Sequence, residues 1–290
     1  IMDANYQAVK SRIVVTGGCG FIGSHLVEKL HNLGFDVTVV DDNRQGKHFW
    51  ESSNITYIDE DVATCKLTEK MKRPIGIFHF ANITRATSSP ENPQEIINNN
   101  IQTTTAVCEW ARHWDTFLFF ATDTEQKFND HPNSYLWSKI ASEEIVDLYK
   151  KMYGLYQVKM ILYNVYGQRE PEYGSHSNVI KKFKTNYLNG LPITVHGSGK
   201  KKRDFTYVDD VVQGMLQLLL AKELPDEVHL GKGSSKSIMS IARAFDTTIV
   251  HEFDVISDPD IIECETPYME CPTDVIQYIN RWLKENPIDN

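Results

Sequence analysis

The sequence has no apolar run near the roughly 18 residues that a membrane helix needs, so no membrane span is expected. Positive charge is in short supply: 30 Lys and Arg stand against 39 Asp and Glu, a formal net charge of −9 over 290 residues. Tracking a nucleic-acid backbone requires an excess of cations, so no nucleic acid is expected as a partner. Cysteine is sparse and odd in number. Cys19, Cys65, Cys108, Cys264 and Cys271 are scattered with no C-x-x-C spacing, which reads as reduced thiols rather than a disulfide framework. Together with the ten His they form no set at metal-ligand spacing, so no metal is expected. Repeats at solenoid periods and low-complexity tracts are also missing. The opening stretch IMDANYQAVKSR is too polar for a secretory signal, and with reduced thiols the expected location is cytoplasmic.

Hydrophobic residues make up 41% and charged residues 24%, which is enough apolar material for one large α/β unit or two interlocked domains. Short apolar runs alternate with amphipathic stretches. Strands are predicted at 12–16, 36–40, 54–58, 75–80, 116–121 and 157–163. Helices are predicted at 21–33 (closed by Gly34), 93–114 and 134–153. Strands apolar on both faces and separated by helices predict a doubly wound parallel sheet of Rossmann type in the α/β class. Beyond Tyr163 the rhythm changes. A loop-rich stretch at 164–178 leads to a helix near 178–188, a short strand at ITV, a helix at 209–221 and a last helix near 273–285. This divides the chain into a dinucleotide domain over 1–165, with 204–222 returning to it, and a smaller interleaved substrate domain over 166–203 and 223–290. A ligand crevice is expected at the carboxyl ends of the strands.

TGGCGFIG, Thr16 to Gly23, follows the first strand and opens a helix. It satisfies two glycine registers, Gly17-x-x-Gly20-x-x-Gly23 and Gly18-x-Gly20-x-x-Gly23. In either register glycines allow a tight turn and bring backbone N–H groups against a pyrophosphate. Asp41 ends the second strand 18 residues after Gly23 (41 − 23). A carboxylate there accepts from ribose hydroxyls and repels a 2′-phosphate, which favours NAD over NADP; Arg44 works against that preference. Tyr135 and Lys139 are i and i+4 on one helix face. A phenol with a reference pKa of about 10 becomes a base at neutral pH only if lowered by roughly three units, about 4 kcal/mol, which a lysine and a nicotinamide cation together can supply. Thr122, at the end of the fifth strand, is placed to relay a hydrogen bond between phenol and substrate. Asp123 follows it.

TGGCGFIGSHLVEKL, VVDDNRQG, IFHFAN, Tyr135-x-x-x-Lys139, YNVYGQR and RDFTYVDDV, in this order from Arg12 to Phe245, resemble the blocks of the extended short-chain dehydrogenase/reductase family. The similarity is to its NAD-dependent epimerase/dehydratase branch, which includes UDP-galactose 4-epimerases. The resemblance implies that NAD is held at the pyrophosphate by Gly17, Gly20, Phe21, Ile22 and Gly23, and at the adenosine ribose by Asp41, Asp42 and Asn43. Asp61 and Val62 would sit beside the adenine. Phe80, Ala81, Asn82 and Asn100, with Tyr135 and Lys139, would serve the nicotinamide half. It implies a nucleotide-diphosphate sugar as substrate, contacted by Thr84, Asn164, Asn178, Val179 and Arg203. It also implies a homodimer through the helices near 93–113 and 134–153, which carry Ile97, Ile101, Val107, Trp110, Ile140, Ile145, Leu148 and Tyr149 as outward apolar residues.

The activity so implied is a 4-epimerase. Tyr135 takes the sugar C4 proton while hydride passes to NAD, and a transient 4-keto sugar turns over before hydride returns. The alternative is a 4,6-dehydratase using Asp123. The family's dehydratases resemble Thr-Asp-Glu at this strand end, whereas this chain reads Thr122-Asp123-Thr124, with Glu125 one place off. A third reading, of another class, is a relative that binds NAD or a nucleotide without catalysis. It is motivated by a loop of only 12 residues between Thr122 and Tyr135, shorter than the family's, and by the missing LG-x-x-P-like ending.

Overall fold

The computed structural model describes residues 11–44, 46–83, 92–123, 133–170, 179–253 and 260–288. Thr84, Thr124, Glu125 and Asn178 lie outside the described residues. The chain divides into two compact units. The first takes the described residues of Ile1–Thr122, Pro132–Met160 and Met215–Val228; the second takes those of Asp123–His131, Ile161–Gly214 and His229–Asn290. The sequence had placed the return to the first domain at 204–222; the contacts place it at 215–228.

The first unit is built from β1 (Arg12–Thr16), α1 (Phe21–Asn32), β2 (Asp36–Asp41), β3 (Ile55–Asp59), α2 (Leu67–Lys70), β4 (Gly76–His79), α3 (Pro93–Trp114), β5 (Phe117–Asp123), α4 (Ser134–Tyr153) and β6 (Gln157–Leu162). The second contains β7 (Val165–Tyr166), α5 (Val179–Leu188), β8 (Ile193–His196), β9 (Lys202–Asp204) and β10 (Thr206–Tyr207). After α6 (Val208–Leu220) and β11 (Glu227–Leu230) come β12 (Ser235–Ser237), α7 (Ile238–Arg243), β13 (Ile249–Glu252), β14 (Ile261–Ile262) and α8 (Val275–Glu285). The central sheet has seven strands in the order β11-β6-β5-β4-β1-β2-β3. The pairs β1/β2, β2/β3, β1/β4 and β4/β5 are all parallel. This is the doubly wound α/β fold that the sequence predicts. The order reverses between β1 and β4, where such sheets bind ligands.

Ile13, Val14 and Val15 are all fully buried, so both faces of β1 are covered. On one face Val14, Val40, Ile77, Leu118 and Phe120 pack against α3 and α4 through Val107, Cys108, Trp110, Ala111, Trp114 and Val146. This corrects the expectation that Val107 and Trp110 face outward: they sit on the stripe of α3 that meets the sheet. Both long helices begin and end where the sequence places them. α3 opens on Pro93 at its first turn. α4 is capped by Asn133, whose Oδ1 accepts from the Leu136 N–H at 2.8 Å, and it closes on Gly154 at φ +69°. β5 runs two residues further than predicted, so Thr122 and Asp123 belong to the strand itself. α2 was not predicted; four residues carry no readable period.

Among its described residues the second unit has no large sheet of its own. It pairs β10 with β7, β13 with β8, and β12-β9-β14 in short ladders around an aromatic core that includes Tyr166, Phe183, Phe205, Phe245 and Tyr278. Asp204 ties these pieces together. Fully buried on β9, it accepts from Thr206 Oγ1 (3.1 Å) and from the backbone N–H of Lys232 (3.0 Å), Gly233 (2.7 Å) and Cys264 (3.1 Å). Removing that carboxylate leaves four donors without their acceptor. Asp204→Ala is expected to destabilise the protein by about 2–4 kcal/mol, read as a lower urea midpoint.

Candidate active site

β1 hands the chain to α1 through the glycine turn. Gly17 donates to Val40 O at 3.0 Å and takes φ +70°. A Cβ there would lie 2.7 Å from Ala81 N, so no side chain fits. Gly20 N–H closes the turn on Gly17 O at 3.1 Å, and a Cβ on Gly23 would stand 2.2 Å from that same oxygen. α1 then starts at Phe21 with no side-chain cap and no acidic residue in its first turn. The first N–H groups of α1, on Phe21, Ile22 and Gly23, therefore form a ready anion cradle.

The cleft beside this cradle is lined by Gly17, Gly20, Asp41, Asp42, Asp61, Val62, Phe80, Ala81 and Asn82. All nine are among the predicted cofactor residues. Arg44, Gly46, Ile83, Asn99 and Thr103 complete the lining. Asp41 accepts from Cys19 N and from Asn43 N, each at 2.9 Å, while its burial raises its pKa. Asn43 takes φ +58° and donates to Asp59 at 2.8 Å; its Oδ1 is buried without a hydrogen-bond partner, ready for a hydroxyl. Arg44 is held by Asp42 at 2.7 Å and by Glu95 at 3.3 Å. The guanidinium is thus already neutralised, and the rim is acidic, which disfavours a 2′-phosphate. Gly46 was not singled out from the sequence. A Cβ there would sit 1.9 Å from Cys19 O, and its only sequence signal is a glycine five residues past Asp41.

At the far end Lys139 is 4% exposed. Its Nζ donates to Asn82 Oδ1 (2.8 Å) and to Ala121 O (2.9 Å). Asn100, fully buried, accepts from Ile83 N (2.7 Å) and donates to Ile83 O (3.1 Å) and Ser138 Oγ (2.9 Å). It clamps the segment after β4 to α4. Tyr135 is 7% exposed and packs with Ile83, Ile96 and Leu136. Thr122, 2% exposed, donates to Glu143 Oε1 at 2.5 Å, and half-buried Asp123 ends the strand. Glu143 was missed in the sequence, although it continues the i, i+4 series of Tyr135 and Lys139 by one more turn.

Of the predicted substrate residues, Asn164, Val179 and Arg203 lie in the second unit. Asn164 Oδ1 is buried without a hydrogen-bond partner. Arg203 is buried on β9 and donates to Lys202 O at 2.8 Å. Val179 is the first residue of α5.

His79, fully buried, joins Thr16 Oγ1 through Nδ1 at 2.7 Å and meets Asn82 Nδ2 through Nε2 at 3.4 Å. An amide donor at Nε2 makes that nitrogen the acceptor, so Nδ1 carries the hydrogen. Burial, with Lys139 nearby, lowers its pKa from 6.5 to about 3. The folded protein therefore refuses a proton that the unfolded chain takes up. Stability is fully present above pH 6.5 and falls as pH drops toward 3, by at most about 1.4 kcal/mol per pH unit. Urea titrations from pH 7 to 4 are expected to show this loss, and His79→Asn is expected to flatten it.

Among the described residues no helix is long and apolar enough to cross a membrane, and no three His, Cys, Asp or Glu are grouped to hold a metal. A family model, the NAD dependent epimerase/dehydratase family, matches residues 13–231. A Methanocaldococcus jannaschii protein assigned as a UDP-glucose 4-epimerase is 30% identical over 242 residues, covering 78% of each chain. The UDP-N-acetyl-alpha-D-glucosaminuronate decarboxylase of Bacillus cytotoxicus is 29% identical, over 81% of this chain and 79% of its own. Among solved structures, the UDP-glucose 4-epimerase of Thermotoga maritima, crystallised with UDP-glucose, superposes with a TM-score of 0.84 at 24% identity. That match covers 94% of this chain and 99% of the other, and it speaks to the fold. With a glycine cradle, an acidic cleft rim and a match over most of its length, the chain belongs to the NAD dependent epimerase/dehydratase family.

Proposed function

We propose that the protein is a nucleotide-sugar 4-epimerase with Tyr135 as its base. The reading rests on one observation. The ammonium of Lys139, one turn after Tyr135, is bonded on one side to Asn82 in the cofactor cleft and on the other to Ala121, the residue before Thr122. This supports a reading in which phenol, cation and hydroxyl work together at the edge of the cleft that would take the nicotinamide half. NAD, when bound, supplies the acceptor and donor of the C4 hydride. The α1 cradle (Gly17, Gly20, Phe21, Ile22, Gly23) binds its pyrophosphate. Asp41, Asp42 and Asn43 accept and donate at the adenosine ribose, and Asp61 and Val62 flank the adenine. Phe80, Ala81, Asn82 and Asn100 shape the other half.

Tyr135 takes the C4 hydroxyl proton and later returns it. Lys139 favours the phenolate by its charge. In the second unit Arg203 and Asn164 hold the nucleotide diphosphate, and Val179 lies at the nucleotide base. The relatives' names point to UDP as the nucleotide to test first.

A second reading, 4,6-dehydration, is favoured by Asp123, a carboxylate directly beside Thr122 in β5. Decarboxylation of a sugar acid is favoured by the Bacillus cytotoxicus relative. All three share oxidation at C4 and part at the product. Incubation with a panel of UDP-hexoses and UDP-hexuronic acids is expected to give an isomer of unchanged mass. Loss of water would instead establish the dehydratase, and loss of carbon dioxide the decarboxylase. A panel that leaves bound NAD unreduced would leave only a nucleotide-binding relative. Tyr135→Phe is expected to lower kcat by about 10²- to 10⁴-fold with NAD content retained.

We also propose a homodimer through α3 and α4. On α4, Trp137, Ile140, Leu148, Met152 and Tyr153 are each more than 40% exposed, an apolar stripe that a partner would cover. Light scattering is expected to give twice the chain mass, and Leu148→Glu to halve it.

A further inference from the structure

A hydroxyl has one proton to give and two lone pairs with which to receive. The proton of Thr122 is committed: Oγ1 donates to Glu143 Oε1 at 2.5 Å, and a carboxylate can only accept in that bond. Thr122 is 2% exposed at the end of β5, so water does not compete freely for it. What Thr122 offers the reacting groups is therefore a lone pair. We infer that Glu143 is a positioning residue, which locks Thr122 as a hydrogen-bond acceptor toward the phenol of Tyr135.

The inference deepens the proposed reaction and rests on it. A Thr122 free to rotate would donate to the Tyr135 phenolate and stabilise the charged form. Locked by Glu143, it instead accepts from the neutral phenol, the form that exists once Tyr135 has taken the sugar's proton. Glu143 thus raises the proton affinity of the base through an uncharged neighbour, against the opposing pull of Lys139. Among the described residues the other groups at this place are few. β4 presents His79, held neutral by burial. β5 continues into Asp123. α3 presents the uncharged Asn100 and Thr103. On α4 itself Lys139 and Asp147 lie one turn to either side of Glu143, with Tyr135 one turn beyond Lys139; Asp147 is paired with Lys159 at 3.1 Å.

The test uses the NAD-loaded protein and reads the step common to all three reactions, the absorbance of bound NADH on mixing with UDP-sugars, across pH. Glu143→Leu frees the Thr122 proton. It is expected to move the acid limb of the rate profile down by about 0.5–1 pH unit and to slow the step by about tenfold. Glu143→Gln keeps a carbonyl acceptor and is expected to restore most of both. The double variant Thr122→Val with Glu143→Leu is expected to match Thr122→Val alone, because Glu143 acts only through that hydroxyl.

Thermal melts of the wild type, Glu143→Leu, Thr122→Val and their double are expected to show non-additive losses, which reports the bond without any activity. An unmoved acid limb, multiplicative rate losses, or a Gln variant as impaired as Leu would each overturn the positioning role. If the melts couple but the wild-type protein reduces no NAD with any sugar, the proposed reaction itself fails and takes this role with it. If NAD is reduced and Thr122→Val leaves the rate profile unchanged, only this inference fails.

Discussion

The ammonium of Lys139 cannot stay buried without partners, because a charge withdrawn from water costs several kcal/mol unless hydrogen bonds replace the hydration. Its two carbonyl partners sit on different strand exits, Asn82 after β4 and Ala121 within β5. Satisfying both fixes where α4 crosses the sheet, and Tyr135 travels with it. The constraint spreads outward. Asn82 reaches Thr103 and His79 through its amide, and Asn100 fastens Ile83 to Ser138. A single cation thus organises this end of the cleft through neutral groups, and the neutrality of His79 keeps its charge undiluted.

Much of this was legible in the sequence where the controlling interaction is local. The glycine turn is legible because only glycine tolerates the approach of residue 17 to residue 81, and the cause shows as a spacing. α3 and α4 are legible because period, cap and stop all fall within one segment: Pro93, Asn133 and Gly154 mark their ends. What stayed hidden depends on partners far along the chain. Asp204 is an unremarkable acid in RDFTYV until residues 28, 29 and 60 positions away bring it their N–H groups. Val107 and Trp110 show the apolar stripe of α3 but not which neighbour it meets. Gly46 and Glu143 became visible only once Cys19 and Thr122 had positions in space.

The two units solve the burial problem differently. The first covers both faces of a parallel sheet with apolar side chains. The second, in its described residues, pairs ladders of two to four residues and anchors them on buried acids: Asp204 on its four donors, and Asp210 on Thr273 N and Oγ1 at 3.1 and 3.3 Å. Lys184 is buried in the same spirit, donating to Tyr278 Oη at 2.7 Å with its ammonium over the rings of Tyr278 and Trp282. Loop-rich architecture of this kind trades hydrophobic area for specific polar ties, and each tie is correspondingly costly to lose.

Asp41 carries two duties on one carboxylate. It faces the cleft, and it also fastens the glycine turn through Cys19 N and the following bend through Asn43 N. One carboxylate thus sets both the charge of the cleft rim and the rigidity of the glycine turn. Any substitution that removed its charge would also slacken that turn, so a change of rim charge alone would have to begin elsewhere, with the carboxylates that hold Arg44.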